Sequence, residues 1–407
     1  MYIKMLKQKN QHIATLLGFA LIPLSGFATD IYIPSLPSMG ADMHIGSIQV
    51  QMTLTLFLIS YGVAQLFIGS ILDSFGRYKF SLGALLVFTL ASLVIAKTHN
   101  IYLIYLMRII HGIAVAMIVV SKRAFFVDVY KGEKLKHYLS LFTIIWSAGP
   151  IIAPFLGGYL EHSFGWQSNF YFLAGFAFIM AVLEYIFSGE TLVQPAPFHL
   201  KRIIGTYAEM IGTASFSIGL LMLCFAYSMV MVYNMTGPYI IEHEMNLTPV
   251  VAGYCSLILG LAWMVGGFIG KATINRPFYK KLAVNTGLQV VFVVAMIVSL
   301  AFISNLYTMV FFAFIIHVGA GFTYNNYFTY SLSKFPKNAG IAGGLAGGVV
   351  YVILSFLTYA IVYFIPAKDE RNLSYSYLIL ILLSALGMYT VFVMNKRKRK
   401  AVEMAAV

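Results

Sequence analysis

The sequence predicts an all-α membrane protein of twelve transmembrane helices arranged as two pseudo-symmetric six-helix bundles. Three observations predict it. Hydrophobic residues make up 60% of the 407 and charged residues only 10%. Apolar runs of bilayer length recur twelve times. The basic residues gather in alternate connections between those runs. A soluble domain carries roughly 25% charged residues, so most of this chain cannot face water, and a soluble multidomain enzyme is excluded.

A helix needs about 20 apolar residues to cross the hydrocarbon. Such runs fall near 13–36, 48–70, 80–97, 102–123, 138–160, 169–187, 214–240, 250–272, 283–304, 307–331, 340–366 and 375–394. They are long and continuous, without the ten-residue alternation of a membrane barrel. Lys4, Lys7 and Lys9 before the apolar run from Ile13 imitate a secretory signal. No small-x-small site ends that run, so it is expected to remain as span 1. The two cysteines, Cys224 and Cys255, lie inside apolar runs and are expected to be packing thiols. They are too few for a disulfide framework or a zinc site, and no metal or other cofactor is expected.

The net charge of +13 could suggest nucleic acid, but the placement of the charges points elsewhere. With the N-terminus set on the cytoplasmic side, 21 of the 27 basic residues fall in cytoplasmic segments and three (Lys97, Lys368, Arg371) on the opposite side. The other three, Arg108, Lys122 and Arg123, belong to span 4. This split obeys the positive-inside rule and sets both termini in the cytoplasm. The basic loops face anionic headgroups, and no nucleic-acid partner is needed.

The longest interruption, near 188–213, contains Pro195, Pro197, Lys201 and Arg202 and divides the chain six plus six. The expected units are an N-terminal bundle (1–190), a cytoplasmic linker (191–213) and a C-terminal bundle with a basic tail (214–407). Two six-helix halves around a cavity is a recurrent transporter plan. Internal sequence repetition between the halves is weak.

Four stretches carry finer information. The 2–3 connection runs from Gly69 to Lys79 through Asp73, Gly76 and Arg77; its glycines suit a tight turn, and Asp73 can accept from a helix N-terminus or from Arg77. Span 4 carries Arg108-Ile109-Ile110-His111-Gly112. An arginine inside a span is costly; it must face a cavity or a carboxylate, or else snorkel to the interface. Span 5 carries Gly149, Pro150, Pro154, Gly157 and Gly158, prolines that free carbonyls and glycines that allow close helix contact. Span 1 ends Thr29-Asp30-Ile31-Tyr32-Ile33-Pro34-Ser35-Leu36-Pro37.

Together these stretches resemble the major facilitator superfamily. The 2–3 connection is similar to its loop motif G-x-L-x-D-R-x-G-R-R, with Ser74 and Tyr78 at two of the basic positions. Span 4 is similar to R-x-x-Q-G, with His111 in place of glutamine. Span 5 looks like the antiporter motif. Span 1 resembles the twelve-span drug:proton antiporters, and the Bcr/CflA-like subfamily most closely, as do Arg123-Ala124 with Asp128, Phe164 to Gln167, and Phe335 to Gly340. The resemblance implies a monomeric, proton-coupled exporter of the bacterial inner membrane working by alternating access, with Gly69, Asp73, Gly76 and Arg77 as a gating loop.

Of the fourteen acids, Asp30 is the best candidate for a carboxyl within the bundle; Glu184 is second. A carboxyl held out of water can be loaded and unloaded with a proton as its surroundings change. Asp30 is therefore expected to couple protons, with Arg108 and His111 beside it; the alternative is a helix cap before Pro34. His111 and His317 could relay protons or serve as hydrogen-bonded packing residues.

Fifteen residues at about 100° each leave Arg108 and Arg123 within roughly 60° of one face, with Lys122 within about 40° of Arg108. Three cations against one deep acid would suit an anionic metabolite or a siderophore; Lys122 and Arg123 could instead anchor the end of the helix. Tyr32, Tyr233, Asn234, Asn325 and Asn326 are expected to line a wet cavity, or to join helices. A symporter importing a nutrient is the competing expectation. No metal cluster, nucleotide loop or nucleophile triad is visible, so an enzyme is not expected.

Overall fold

The computed structural model describes residues 4–195, 197–335 and 339–405. Pro336, Lys337 and Asn338, part of the stretch before span 11, lie outside the described residues, as do the side chains of Arg202 and of the basic run Lys396–Lys400. Among the described residues, twelve helical segments are long and apolar enough to cross a membrane, one for each apolar run.

Span 1 is not one helix. It breaks into α1 (Gln11–Leu21), α2 (Leu24–Asp30) and α3 (Leu36–Asp42), with a short 3-10 turn over Ile33–Ser35. Pro23, Pro34 and Pro37 stand at the breaks, where each withholds an amide donor from the helical ladder. Spans 2 to 6 are α4 (Ser47–Phe75), α5 (Tyr78–Lys97), α6 (Ile101–Val129), α7 (Gly132–Phe164) and α8 (Gln167–Phe187).

A helix that the hydropathy runs do not reveal, α9 (Leu200–Gly212), occupies the central interruption. Ile203, Tyr207, Met210 and Ile211 recur at helical spacing along it. Tyr207 donates its hydroxyl to the Leu66 carbonyl at 2.9 Å, and Met210 is buried. Thirteen residues are too few to span a bilayer, which is why the run count passes over it.

Spans 7 to 12 are α10 (Ala214–Tyr239), α11 (Pro249–Ala272), α12 (Phe278–Ser299), α13 (Leu306–Leu332), α14 (Ala339–Phe364) and α15 (Glu370–Ala405). A single π turn, Ile240–Glu244, ends span 7.

The packing repeats with a shift of six spans. In the first bundle α4 packs on α6, α5 on α6 and α8, and α2 on α7; in the second, α11 packs on α13, α12 on α13 and α15, and α10 on α14. This is the internal repeat that the side chains conceal. Two related contacts join the bundles, α4 with α14 and α7 with α11. Near one end the seal is tight: Tyr239 donates to the Leu36 carbonyl (3.2 Å), Gln51 to the Met235 carbonyl (2.6 Å), and the Tyr159 and Tyr254 hydroxyls meet at 2.8 Å.

Candidate functional site

Asp30 is the last residue of α2, beside the break in span 1, and is 1% exposed. Its Oδ1 accepts from Nδ2 of Asn234 in the opposite bundle at 3.2 Å, and Oδ2 has no partner. Tyr32, at the start of the following 3-10 turn, has no side-chain cap. Asp30 therefore spans the interface between the bundles rather than capping a helix.

Arg108 is fully buried, yet it forms no ion pair within 4 Å among the described residues. Asp30, the carboxylate the sequence places beside it, lies within electrostatic reach but not in contact. Its guanidinium donates to the carbonyls of Ala28 (3.0 Å) and Thr53 (3.4 Å) and to the Tyr32 hydroxyl (3.3 Å). The Ala28 carbonyl belongs to the last turn of α2, where helix ends leave acceptors free. The Tyr32 and Phe57 rings lie 4.6 and 4.4 Å from the guanidinium carbon, contacts worth about 2 kcal/mol when desolvated. Arg108 thus pins the broken span 1 from both sides of Asp30.

His111 Nδ1 lies 3.4 Å from an Arg108 amino group and Nε2 lies 3.0 Å from the Ser92 hydroxyl. Arginine only donates, so the network assigns the ring proton to Nε2. His111 also stacks on Phe88 at 4.3 Å. It supports Arg108 and makes no hydrogen bond to Asp30.

Lys122 does not stand free. Its Nζ lies 2.6 Å from Glu184 Oε2, with the two side chains 8% and 1% exposed. Three cations facing one acid is therefore the wrong charge count for span 4: Lys122 is neutralised within its own bundle. Arg123 is exposed near the end of α6.

The 2–3 connection also needs a correction. Gly69 lies inside α4 with open space around it and makes no turn. Gly76 does, at φ +100°, and a Cβ there would come within 2.8 Å of Glu190 Oε2. Arg77 pairs with Asp73 at 2.7 Å and also with Asp128. The α5 N-terminus is capped by Glu190, which accepts from the Arg77 and Tyr78 amides at 2.9 and 3.1 Å. Thr191 joins Asp128 to the same group at 2.8 Å. Lys4 donates to the Ile186 carbonyl at 3.2 Å, and partial burial together with the charge of Lys7 holds its ammonium below the usual lysine pKa range.

The Gly/Pro stretch of α7 packs on both bundles. Gly149 and Pro150 lie against Gly26, and a Cβ on Gly157 would overlap the Ile31 carbonyl, next to Asp30. A Cβ on Gly158 would stand 2.6 Å from the Pro249 carbonyl, and one on Gly253 would stand 2.8 Å from that of Pro154. Small residues here let backbones from opposite bundles touch.

Residues 18–358 match the Major Facilitator Superfamily. The chain belongs to that family. A major facilitator protein is a transporter and not an enzyme, and with twelve spans and bacterial relatives this one is a multi-pass inner-membrane protein. It is 29% identical to the uncharacterized MFS-type transporter YdgK of Bacillus subtilis, over 82% of this chain and 84% of the relative. It is 26% identical to multidrug resistance protein D of Escherichia coli, over 85% and 87%. It is also 31% identical to a bicyclomycin resistance protein homolog of Haemophilus influenzae, over 46% of each. These relatives agree with the Bcr/CflA-like resemblance of span 1. Among solved structures, a bacterial homologue of the human lysosomal transporter Spinster superposes with TM-score 0.75 at 12% identity, covering 95% of this chain and 97% of that one.

Within this major facilitator fold, the remaining polar candidates divide. Asn234 meets Asp30. Tyr233 turns into the second bundle, edge-on to His317 at 5.8 Å, and is not brought to Asp30. Asn326 bonds the Phe322 carbonyl of its own helix at 2.9 Å, and it and Asn325 both abut Gly270 of α11. The interface also carries an aromatic group whose convergence the sequence does not reveal. Tyr61 meets Tyr351 across the bundles at 5.0 Å, and Tyr227 lies 5.8 Å from Tyr351 and 5.6 Å from Trp263. Tyr324 adjoins Trp263 at 5.2 Å. Tyr227 also lies within electrostatic reach of Asp30.

Proposed function

We propose that this transporter exports aromatic, apolar or cationic solutes in exchange for protons, and that Asp30 carries the proton. The observation that carries the reading is the Asp30 carboxyl itself. It is buried at a helix break and held by the opposite bundle through one oxygen, while the other oxygen is buried without a partner and can take a proton or a cationic solute. One group that binds either proton or cargo, but not both, makes an exchanger. Each proton charge moved across 100 mV supplies about 2.3 kcal/mol.

The half-buried rings of Tyr227, Trp263, Tyr324 and Tyr351 suit flat or cationic cargo through stacking and cation–π contact. The names of the multidrug resistance relatives favour the same class. Export of a siderophore or an anionic metabolite loses its basis once Lys122 is paired with Glu184 and Arg108 is enclosed by Tyr32 and Phe57. The basic loops favour cytoplasmic termini, with the sealed end outward. Residues 1–190 and 214–407 act as the rocking units, joined through 191–213, in a monomer.

The test uses purified protein in liposomes, an imposed pH difference and a fluorescent aromatic cation. The native chain should accumulate the cation against its gradient only when protons flow the other way. Asp30→Asn should lose this at least about tenfold while still passing cation downhill. Undiminished uphill transport by Asp30→Asn, or cation moving in the same direction as protons, defeats the proposal; the second result favours the importing symporter.

A further inference from the structure

Two further acids, each with a buried oxygen, lie at the sealed end. Glu161 stands on α7 one turn beyond Gly158, the residue on which Pro249 of the second bundle rests. It is 8% exposed, and its Oε2 is buried without a partner. Glu242 belongs to the π turn of span 7, in the opposite bundle, and its Oε1 is likewise buried and unpartnered. The two carboxyls are within electrostatic reach of each other across the seam.

The groups around them do not neutralise them. From span 1, Ser35 and Ser38 approach Glu161, and Asp42 adds like charge. Asp42 is itself taken up by Trp166 Nε1 (2.8 Å), Gln167 (3.3 Å) and His99 (3.5 Å). His162 follows Glu161 on α7, His243 and Glu244 follow Glu242, and Glu244 lies near Asp369. Tyr239 faces Glu242 from the preceding turn. Among the described residues neither Glu161 nor Glu242 has an ion-pair partner within 4 Å; Lys97, Lys368 and Arg371, the basic residues of this end, do not reach them. Beside the π turn a cleft of about 500 Å³, lined by Pro37, His44, Tyr239, His243 and Ala367, lies between the bundles.

An ionised carboxylate with an oxygen buried and no cation beside it is costly, and two of them facing one seam from opposite bundles also repel. We propose that Glu161 and Glu242 form a second proton-binding site, one that exists only while the two bundles are closed at this end. Closure takes up a proton at the pair; parting of the bundles returns both acids to water and releases it. That proton enters and leaves on the same side, so it sets how readily the outer seal closes without adding to the driving force. The site rests on the alternating cycle proposed above but not on Asp30 as its proton carrier.

The test reads conformation rather than transport. Spin labels at Tyr159→Cys and Tyr254→Cys, which face each other across the seam, report closure in the full chain as pH is varied. Native protein should open as pH rises, its open-to-closed ratio changing up to about tenfold per pH unit. The Glu161→Gln/Glu242→Gln double variant should stay closed, with less than about a twofold change over the same range; either single variant leaves one buried carboxyl and should keep only part of the native response. The infrared band of a protonated carboxyl should be present in the closed native state and disappear in the double variant. Asp30→Asn should keep the native pH response of the seam. A pH response that survives in the double variant overturns the proposal, as does one abolished by Asp30→Asn. If the liposomes ignore the imposed pH difference while the seam still responds through Glu161 and Glu242, Asp30 coupling fails and this site stands.

Discussion

Lys122 and Glu184 are held 2.6 Å apart and almost wholly out of water, so each is expensive without the other. Glu184→Gln leaves an ammonium whose only escape is to surrender its proton, a cost of about 4–5 kcal/mol at pH 7 relative to water. Lys122→Met leaves a carboxylate that must take one up, at about 3–4 kcal/mol. Both ceilings agree with the roughly 3–5 kcal/mol typical when one partner of a buried pair is removed. Lys122→Met combined with Glu184→Leu removes both charges and should lie within about 1–2 kcal/mol of the native protein. The order of stability is therefore native and double variant, then Lys122→Met, then Glu184→Gln. Each pH unit changes these costs by about 1.4 kcal/mol, with opposite signs: Lys122→Met should recover in acid and Glu184→Gln in base. Thermal midpoints of detergent-purified protein, followed by fluorescence-detected size exclusion at three pH values, would measure both effects. A double variant as unstable as the worse single, or pH trends of the same sign, would refute the electrostatic argument.

Two further outcomes follow from the interface. Gly158→Val puts a side chain where a Cβ would already stand 2.6 Å from the Pro249 carbonyl; overpacking of about 1–3 kcal/mol should shift the open-to-closed ratio of the Tyr159/Tyr254 label pair by roughly 5- to 150-fold, with protein yield retained. Tyr227→Ala or Trp263→Ala should weaken binding of an aromatic cation, measured by calorimetry in detergent, by roughly 5- to 30-fold for a loss of about 1–2 kcal/mol, and Tyr227→Phe should retain most of it; equal affinity in all three would remove the rings from the cargo site.

What the sequence reveals here is what the bilayer dictates locally. Twelve runs of bilayer length and one-sided basic loops are statements about neighbours in the chain, and so are the prolines that break span 1 beside Asp30. Pairings between distant segments are different. Nothing near Lys122 in sequence signals that Glu184, 62 residues on, will neutralise it, and a face count on α6 alone gave the wrong charge balance. Glu190 reads as the first charged residue after span 6, yet it caps α5 across more than one hundred residues. Gly69 fits a motif but lies within a helix, whereas Gly76 makes the turn. The aromatic group escapes notice because its rings are dispersed over spans 2, 7, 8, 10 and 11 and converge only when the bundles assemble.

The helix α9 changes how the two bundles can move. It is fastened to α4 of the first bundle through the Tyr207 hydroxyl, and it runs into α10 of the second with only Thr213, at φ −80° and ψ 100°, outside helical geometry between them. A connection that would otherwise be a slack tether thereby becomes a strut ending in a one-residue universal joint. Two torsion angles allow tilting and swivelling about that point but hardly any sliding, so the start of span 7 must pivot against the first bundle instead of gliding along it.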